Sequence, residues 1–299
     1  MSQVTAADVK KLREMSGAGM MDCKKALAET QGNLEAAVDF LRKKGLSAAS
    51  KKAGRVAAEG IVVARTAGSM GVVLEVNSET DFVSKNEKFT DFVNLVADII
   101  MREKPVDVTA LKALPCDGTD LNIEQALSQL IATIGENMDI RRFNLVEVNE
   151  GTIGTYIHGA GKIGVLVAVE GVSGDDADQL VRGIAMHIAA SNPLFISIAD
   201  VDEDSAAREK AVLSERAIAS GKPEAIVDKI VAGQMNKYYS DVCLLEQDFV
   251  MDTESTVGKA LAKLAKDAIL THMSRFQLGE GIEKEESDFA AEVAAQVAG

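Results

Sequence analysis

The chain has 299 residues, 47% of them hydrophobic and 26% charged, with a formal net charge of −14. That is enough apolar material for about two domains or several smaller modules, at a charge content ordinary for a soluble protein. The acidic balance lacks the overall basic footprint of a nucleic-acid binder, and 4% aromatic residues with no Trp leave few platforms for stacking bases. Direct nucleic-acid binding is disfavoured.

Cysteine and histidine usage narrows the field further. Cys23, Cys116 and Cys243 are an odd, widely spaced trio without a CxxC pair, and His158, His187 and His272 are equally scattered. Neither a disulfide framework nor a metal site is readable, and no cofactor is expected. The start has no apolar targeting segment, and no later run reaches the roughly 18 apolar residues of a membrane span. The expectation is a reduced, soluble, cytoplasmic protein with no membrane contact.

In chain order, the first module is helical. Thr5 and Asp8 have the spacing of a capping box, in which hydroxyl and carboxylate satisfy free amides at a helix start. Val9 and Leu12 give an apolar face, Ser16 to Gly19 break the helix, and Met20 to Glu29 begin another. Leu34, Ala37, Val38 and Leu41 recur at helical spacing up to a stop predicted at Gly45. Ser47 to Gly60 is small-residue-rich and locally basic through Lys51, Lys52 and Arg55; it reads as a linker or loosely held helix with a solvated face.

A pattern then occurs twice. Gly60 to Val76 predicts two strands around a Gly-containing turn, followed by a helix over 86–101; Ile153 to Val169 predicts the same, with a helix over about 176–190. Superposed, Ala67, Gly68, Gly71, Val72 and Val76 fall on Ala160, Gly161, Gly164, Val165 and Val169. Each hairpin needs a helix to cover one face. Between them, 103–122 carries Pro105 and Pro115 and reads as an insertion. A helix over 123–134 follows, then a strand leading into the second unit.

Beyond Phe195 the chain reads as strongly helical. Ala207, Ala211 and Ile218 form one stripe, Gly221 to Pro223 a turn, and Val227, Val231, Met235 and Tyr238 a second stripe. The pair predicts a helical hairpin projecting as an antiparallel coiled coil; the alternative is an ordinary pair lying on the core. A last amphipathic helix is expected in the tail from Gly279, where Glu285 and Glu286 read as a solvated face.

Two motifs bear on chemistry. Gly159 to Gly164 fits GxGxxG, but the β-branched run that follows makes it a hairpin turn, because dinucleotide binding needs a helix N-terminus there. The acidic pair Glu79 and Asp81 has no nucleophile or histidine near it in sequence. The most unusual segment is Asn77 to Phe89, NSETDFVSKNEKF, set between a strand and a helix. Phe82 in it is either an anchor tying the loop to the core, which the residues alone favour, or an exposed wedge for a partner.

That segment also carries a resemblance. Together with LREMSGAGMMDCKKAL, IGENMDIRRF, YIHGAGKIGVLV, MHIAASNPLF and GEGIEKEESDFAAEV, in that order over nearly the whole chain, it resembles the elongation factor Ts family. The Pro-containing insertion around 104–121 departs from the family pattern and touches none of these motifs. The resemblance implies an α+β protein that acts by binding, not by bond-making catalysis: a guanine-nucleotide exchange factor of translation elongation, binding elongation factor Tu in its GDP-bound and nucleotide-free forms.

The resemblance further implies a division of the chain. Residues 1–46 form a ubiquitin-associated-like three-helix domain, 47–59 a linker, 60–150 one core subdomain, and 151–202 with 241–278 a second. Residues 203–240 form the protruding hairpin and 279–299 a C-terminal helical module. Thr80, Asp81, Phe82 and Val83 would enter the partner's nucleotide domain, dislodge Mg²⁺ and promote GDP release so that GTP can bind. Met20, Met21 and His158 would supply further contacts, and a higher-order 2:2 complex is an open arrangement. The rival readings are a nucleotide-dependent oxidoreductase using the glycine turn and a helical adaptor using only the N-terminal helices.

Overall fold

The computed structural model describes residues 4–221 and 223–283. The predicted tail helix lies outside the described residues, as do Glu285 and Glu286. The architecture is α+β. Ala6–Ser16 (α1), Met20–Glu29 (α2) and Leu34–Lys52 (α3) enclose Leu12, Cys23, Ala26, Leu27, Ala37 and Leu41. The capping box forms: Thr5 Oγ1 accepts from the Asp8 amide at 3.2 Å, and Asp8 Oδ2 from the Thr5 amide at 3.1 Å.

The predicted stop at Gly45 does not occur, because α3 continues to Lys52. Glycine there costs about 1 kcal/mol relative to alanine. Gly45 faces the helix Ile123–Ile134 (α6), where a Cβ would sit in ordinary van der Waals contact, 3.7 Å from Ser128 O. Lys52 Nζ then donates to Gly135 O at 2.6 Å, at the end of α6. The segment read as a linker or loosely held helix with a solvated basic face is in its first part the end of α3, which Lys52 ties to the end of α6.

Two three-stranded antiparallel sheets form the centre. Glu59–Ala67 (β1), Met70–Ser78 (β2) and Met138–Glu147 (β3) run in the order β1-β2-β3; Gly151–His158 (β4), Ile163–Glu170 (β5) and Ile269–Gln277 (β8) run in the order β4-β5-β8. The strand predicted to lead into the second unit instead pairs with β2 and completes the first sheet. β8 corrects the reading of the region beyond Phe195 as helical throughout.

Each middle strand has both faces buried. Val72, Leu74 and Val76 point to Glu87–Glu103 (α4) and α6, where Phe89, Phe92, Val96 and Ile131 meet them. Val165, Val167 and Val169 likewise meet Val181, Ile184 and Ile188 of Asp175–Ser191 (α7). The other faces of the two sheets meet each other around Val62, Val73 and Leu166. A side chain at Gly71 would place Cβ 2.6 Å from Leu166 Cδ1, and one at Gly164 would place it 2.4 Å from Val62 Cγ1. The contact is reciprocal. Asn144, opposite Val73, donates to Ser274, opposite Leu166, at 2.8 Å, and the ladder shifts register after Glu75 in one sheet and after Ala168 in the other.

The insertion is ordered. It contains Val108–Ala113 (α5), which sends Leu111 into the first core, and Lys112 reaches Asp139 on β3 at 2.6 Å. In the second unit, Asp248–Phe249 (β6), Asp252–Thr256 (β7) and Val257–Leu264 (α10) close the chain under α7. Glu203–Ala219 (α8) and Glu224–Val242 (α9) form the helical hairpin, whose buried residues Leu213, Ala217, Val227, Val231 and Met235 pack only among the hairpin's own residues. The second predicted stripe matches this seam. The first does not: Ala207, Ala211 and Ile218 are exposed, and Leu213 with Ala217 takes their place.

Glu75 is a fully buried carboxylate on the face of β2 that meets the other sheet. It accepts from Arg141 at 3.0 Å, Arg142 at 2.6 Å, the Asn77 amide at 3.1 Å and the Gly279 backbone N–H at 2.8 Å. Burial alone pushes its pKa up, but the Gly279 and Arg142 hydrogen bonds outweigh it and hold the carboxyl below its ordinary value. This charge ties β2, β3 and the turn after β8 together.

Two predictions follow from this packing. Replacing Asp204 to Tyr239 by a short Gly-Ser bridge leaves a cooperative thermal transition, because the hairpin carries its own core; loss of cooperativity would show that it braces the sheets. Glu75→Ala costs about 3 kcal/mol in urea unfolding at pH 7, the low end for a broken buried ion pair, because both guanidiniums keep part of their water. A lowered folded pKa means that Glu75 contributes fully above its unfolded value of about 4.3 and loses that contribution as pH falls through the folded value. The acid-side decline in stability is therefore shallower in Glu75→Gln.

Candidate functional site

The segment between β2 and α4 is held at its base and open at its tip. Ser78 ends the strand and its hydroxyl donates to Thr80 O at 2.9 Å. A single 3-10 turn, Val83–Lys85, follows, with Lys85 N bonded to Phe82 O and Asn86 N to Val83 O. Asn86 then caps α4, its side chain accepting from Lys88 N at 3.0 Å. This local chemistry turns the chain sharply and leaves Asp81 and Phe82 at the apex.

Phe82 is 77% exposed, whereas its neighbour Val83 is 3% exposed within the first core. The core-anchor reading of Phe82 is therefore overturned: Val83, with Phe89 one helical turn into α4, ties the loop down. An aromatic ring held in water on a fixed turn is surface available for burial against another molecule.

The base is gripped from across the fold. Glu136 accepts from Thr80 N at 2.9 Å and from Thr80 Oγ1 at 2.7 Å. Glu79 accepts from the Asn137 amide, and Asn137 Nδ2 donates to Arg55 O at 2.8 Å. Arg55 lies 3.5 Å from Glu79. The acidic pair Glu79 and Asp81 thus splits into a tethered residue and an exposed one. Glu136 and Asn137 escaped sequence reasoning because no spacing rule joins residues so far apart, and their only signal was the IGENMDIRRF string that contains them; Arg55 reads in the sequence as part of a solvated basic face.

The other candidates lie toward the same end of the molecule. Met20 and Met21, 59% and 75% exposed, open α2 at a Gly19 N-cap without a side-chain bond. Lys88, in the first turn of α4, approaches Gly17 O at 3.5 Å, which brings that turn beside the Phe82 loop. His158 is exposed at the end of β4, with its Nδ1 3.3 Å from Tyr156 Oη. The following turn rests on the start of β1: Val62 N donates to Gly161 O at 2.9 Å and Lys162 pairs with Glu59 at 2.6 Å. Glu59 is the ladder partner of Ser78, where the Phe82 segment begins.

The remaining histidines are interior. His187 is buried, with Nε2 2.8 Å from Gln247 Oε1 and Nδ1 accepting from Val250 N; burial lowers its pKa against the opposing Gln247 bond. His272 sits 2.7 Å from Ser274 Oγ, and burial lowers its pKa as well. The glycine turn is a hairpin turn, since β5 begins at Ile163 and pairs antiparallel with β4, His158 opposite Ile163. Among the described residues no cluster of three His, Cys, Asp or Glu side chains is placed to hold a metal, and no helix is long and apolar enough to cross a membrane.

These features define a class: an α+β protein that carries exposed apolar side chains on turns of a two-sheet scaffold, a surface suited to burial against another molecule. Comparison with known proteins narrows it. The family described as elongation factor TS matches residues 79–280. An elongation factor Ts of Syntrophotalea carbinolica is 53% identical over 98% of both chains, and one of Paramagnetospirillum magneticum is 54% identical over 99% of this chain and 98% of its own. The chain belongs to the elongation factor Ts family. The similarity extends through residues 79–280 and, in the relatives, over nearly the whole chain, so a helical adaptor built on the N-terminal helices alone does not describe it.

Because Phe89 is fully buried, Phe89→Ala costs about 3–5 kcal/mol in chemical unfolding, as for any emptied aromatic site in a core. Phe82→Ala stays within about 0.5 kcal/mol of the parent, as surface substitutions do.

Proposed function

We propose that the Thr80–Val83 tip is the element through which this chain releases GDP from elongation factor Tu, with Asp81 and Phe82 making the decisive contacts. Guanine-nucleotide exchange on elongation factor Tu during translation elongation is the role that goes with the family. The observation carrying the residue assignment is the 77% exposure of Phe82 on a loop whose base is buried and hydrogen-bonded.

The physics is that of linked binding. A guanine nucleotide is held by a phosphate loop and by Mg²⁺, which tolerates little departure from octahedral geometry. Phe82 inserted against a partner helix, with the Asp81 carboxylate beside it, disturbs that geometry without touching the nucleotide. The factor binds the metal-poor, open partner better than the closed one, and reciprocity makes it weaken nucleotide binding by the same ratio. The reading invokes no covalent step, cofactor, nucleic acid or membrane.

Other parts support this tip in the same reading. Residues 1–46 act as a ubiquitin-associated-like domain that presents Met20 and Met21. The turn bearing His158 gives a second contact, and the α8–α9 hairpin protrudes. The factor works in the cytoplasm, and a 2:2 complex with its partner is compatible with contacts spread over both sheets.

The test is release of fluorescent GDP from elongation factor Tu. An interface hot spot is worth about 2 kcal/mol or more, so Phe82→Ala slows release roughly thirtyfold while melting with the parent. Asp81→Ala acts in the same direction and loses its effect once Mg²⁺ is chelated. A Phe82→Ala protein that exchanges normally would remove the tip from the mechanism.

A further inference from the structure

We infer that Glu136 is a positioning residue for the Asp81–Phe82 tip: it acts through Thr80 and makes the loop stiff enough to transmit force to a partner. The inference rests on the reading of the tip given above. Among the described residues the apex backbone has only local turn bonds, the Lys85 and Asn86 amides and the Ser84 hydroxyl closing back on residues 81–83. Such a turn fixes shape but not position. A wedge mounted on a compliant loop would retreat when pushed against a packed helix.

Position comes from Glu136. Its two oxygens take both donors of one residue, Thr80 N at 2.9 Å and Thr80 Oγ1 at 2.7 Å, which sets the location and the orientation of the residue before the tip. Bonds to an ionised acceptor are about twice as strong as neutral ones, and the fork adds directional restraint. Adjacent Asn137, mostly buried, donates its backbone N–H to Glu79 and its side-chain amide to Arg55 O at 2.8 Å. Consecutive residues ahead of β3 therefore grip consecutive residues behind β2. β2 and β3 are themselves laddered from Met70 to Ser78, so the tip is braced against a rigid sheet. Glu136 stands behind the tip and bonds only its base, so its effect on exchange is indirect.

The experiment measures fluorescent GDP release from elongation factor Tu over a range of factor concentrations, with the full chain and a melting curve for each variant. A displacement of about an ångström at a working contact can cost up to about a hundredfold. Glu136→Ala lowers the maximal release rate about tenfold, while the half-saturating concentration stays within about twofold and the melting temperature within about 2 °C. Glu136→Gln recovers the rate to within about threefold, because its amide oxygen accepts from Thr80 N and its amide N–H donates to the Thr80 hydroxyl. Adding Thr80→Val to Glu136→Ala costs little more, as expected for two ends of one contact.

The positioning role is overturned if Glu136→Ala exchanges at the parental rate while Phe82→Ala is slow. It is equally overturned if Glu136→Gln is no better than Glu136→Ala, or if the loss follows the melting temperature. Should Phe82→Ala itself exchange at the parental rate, the reading of the tip fails and the positioning role falls with it; that outcome is separate from failure of Glu136 alone.

Discussion

The close contact of two β-sheets through Gly71 and Gly164 is the constraint on which the rest of this molecule depends. Any side chain at either glycine would collide with Leu166 or Val62 across the interface. With nothing there, Val62, Val73 and Leu166 close into an apolar seam, and both middle strands are buried on both faces. Burial at about 25 cal/mol per Å² favours the seam, but its shape is set by sterics. The arrangement is nearly two-fold: equivalent strands, equivalent register shifts and equivalent residues such as Asn144 and Ser274 meet across it.

That contact also determines what lies beside what. It lays the β4–β5 turn on the start of β1, so the end bearing His158 comes to the same side as the loop that leaves β2. Polar ties then finish what the apolar seam begins. The Glu75 carboxylate joins β2, β3 and the turn at Gly279, and Lys52 and Arg55 fasten the end of α3 to the first unit. The α8–α9 hairpin stands apart from this economy. Its buried seam is formed by its own residues, Leu213 and Ala217 against Val227, Val231 and Met235.

Much of the local structure was legible in the residues. The capping box at Thr5, both hairpins, the limits of α6 and the placing of the Thr80 segment between strand and helix all follow from short-range chemistry. Three of the misreadings share one cause, which is that a distant partner outweighed a local preference. Gly45 tends to end an isolated helix, but here α3 runs on along α6 to Lys52, whose Nζ bonds Gly135 O. Leu213 rather than Ile218 faces α9 because the crossing of the two helices selects the stripe. β8, with His272, Ser274 and Arg275 among its apolar residues, has no clean alternation and becomes a strand because β5 offers it an edge.

The sequence by itself determined both hairpins, several of the helices and the cap at Thr5, and through long motifs in order the family to which the chain belongs and with it the class of fold. Those properties depend on neighbours within a few residues, where spacing encodes geometry directly. Only the tertiary structure decided that Phe82 is exposed and Val83 buried, and that Glu136 stands behind Thr80. Adjacent residues on a tight turn point in different directions, so composition cannot say which of them meets the core. Nor can local spacing show which carboxylate arrives from another part of the chain to hold the turn in place.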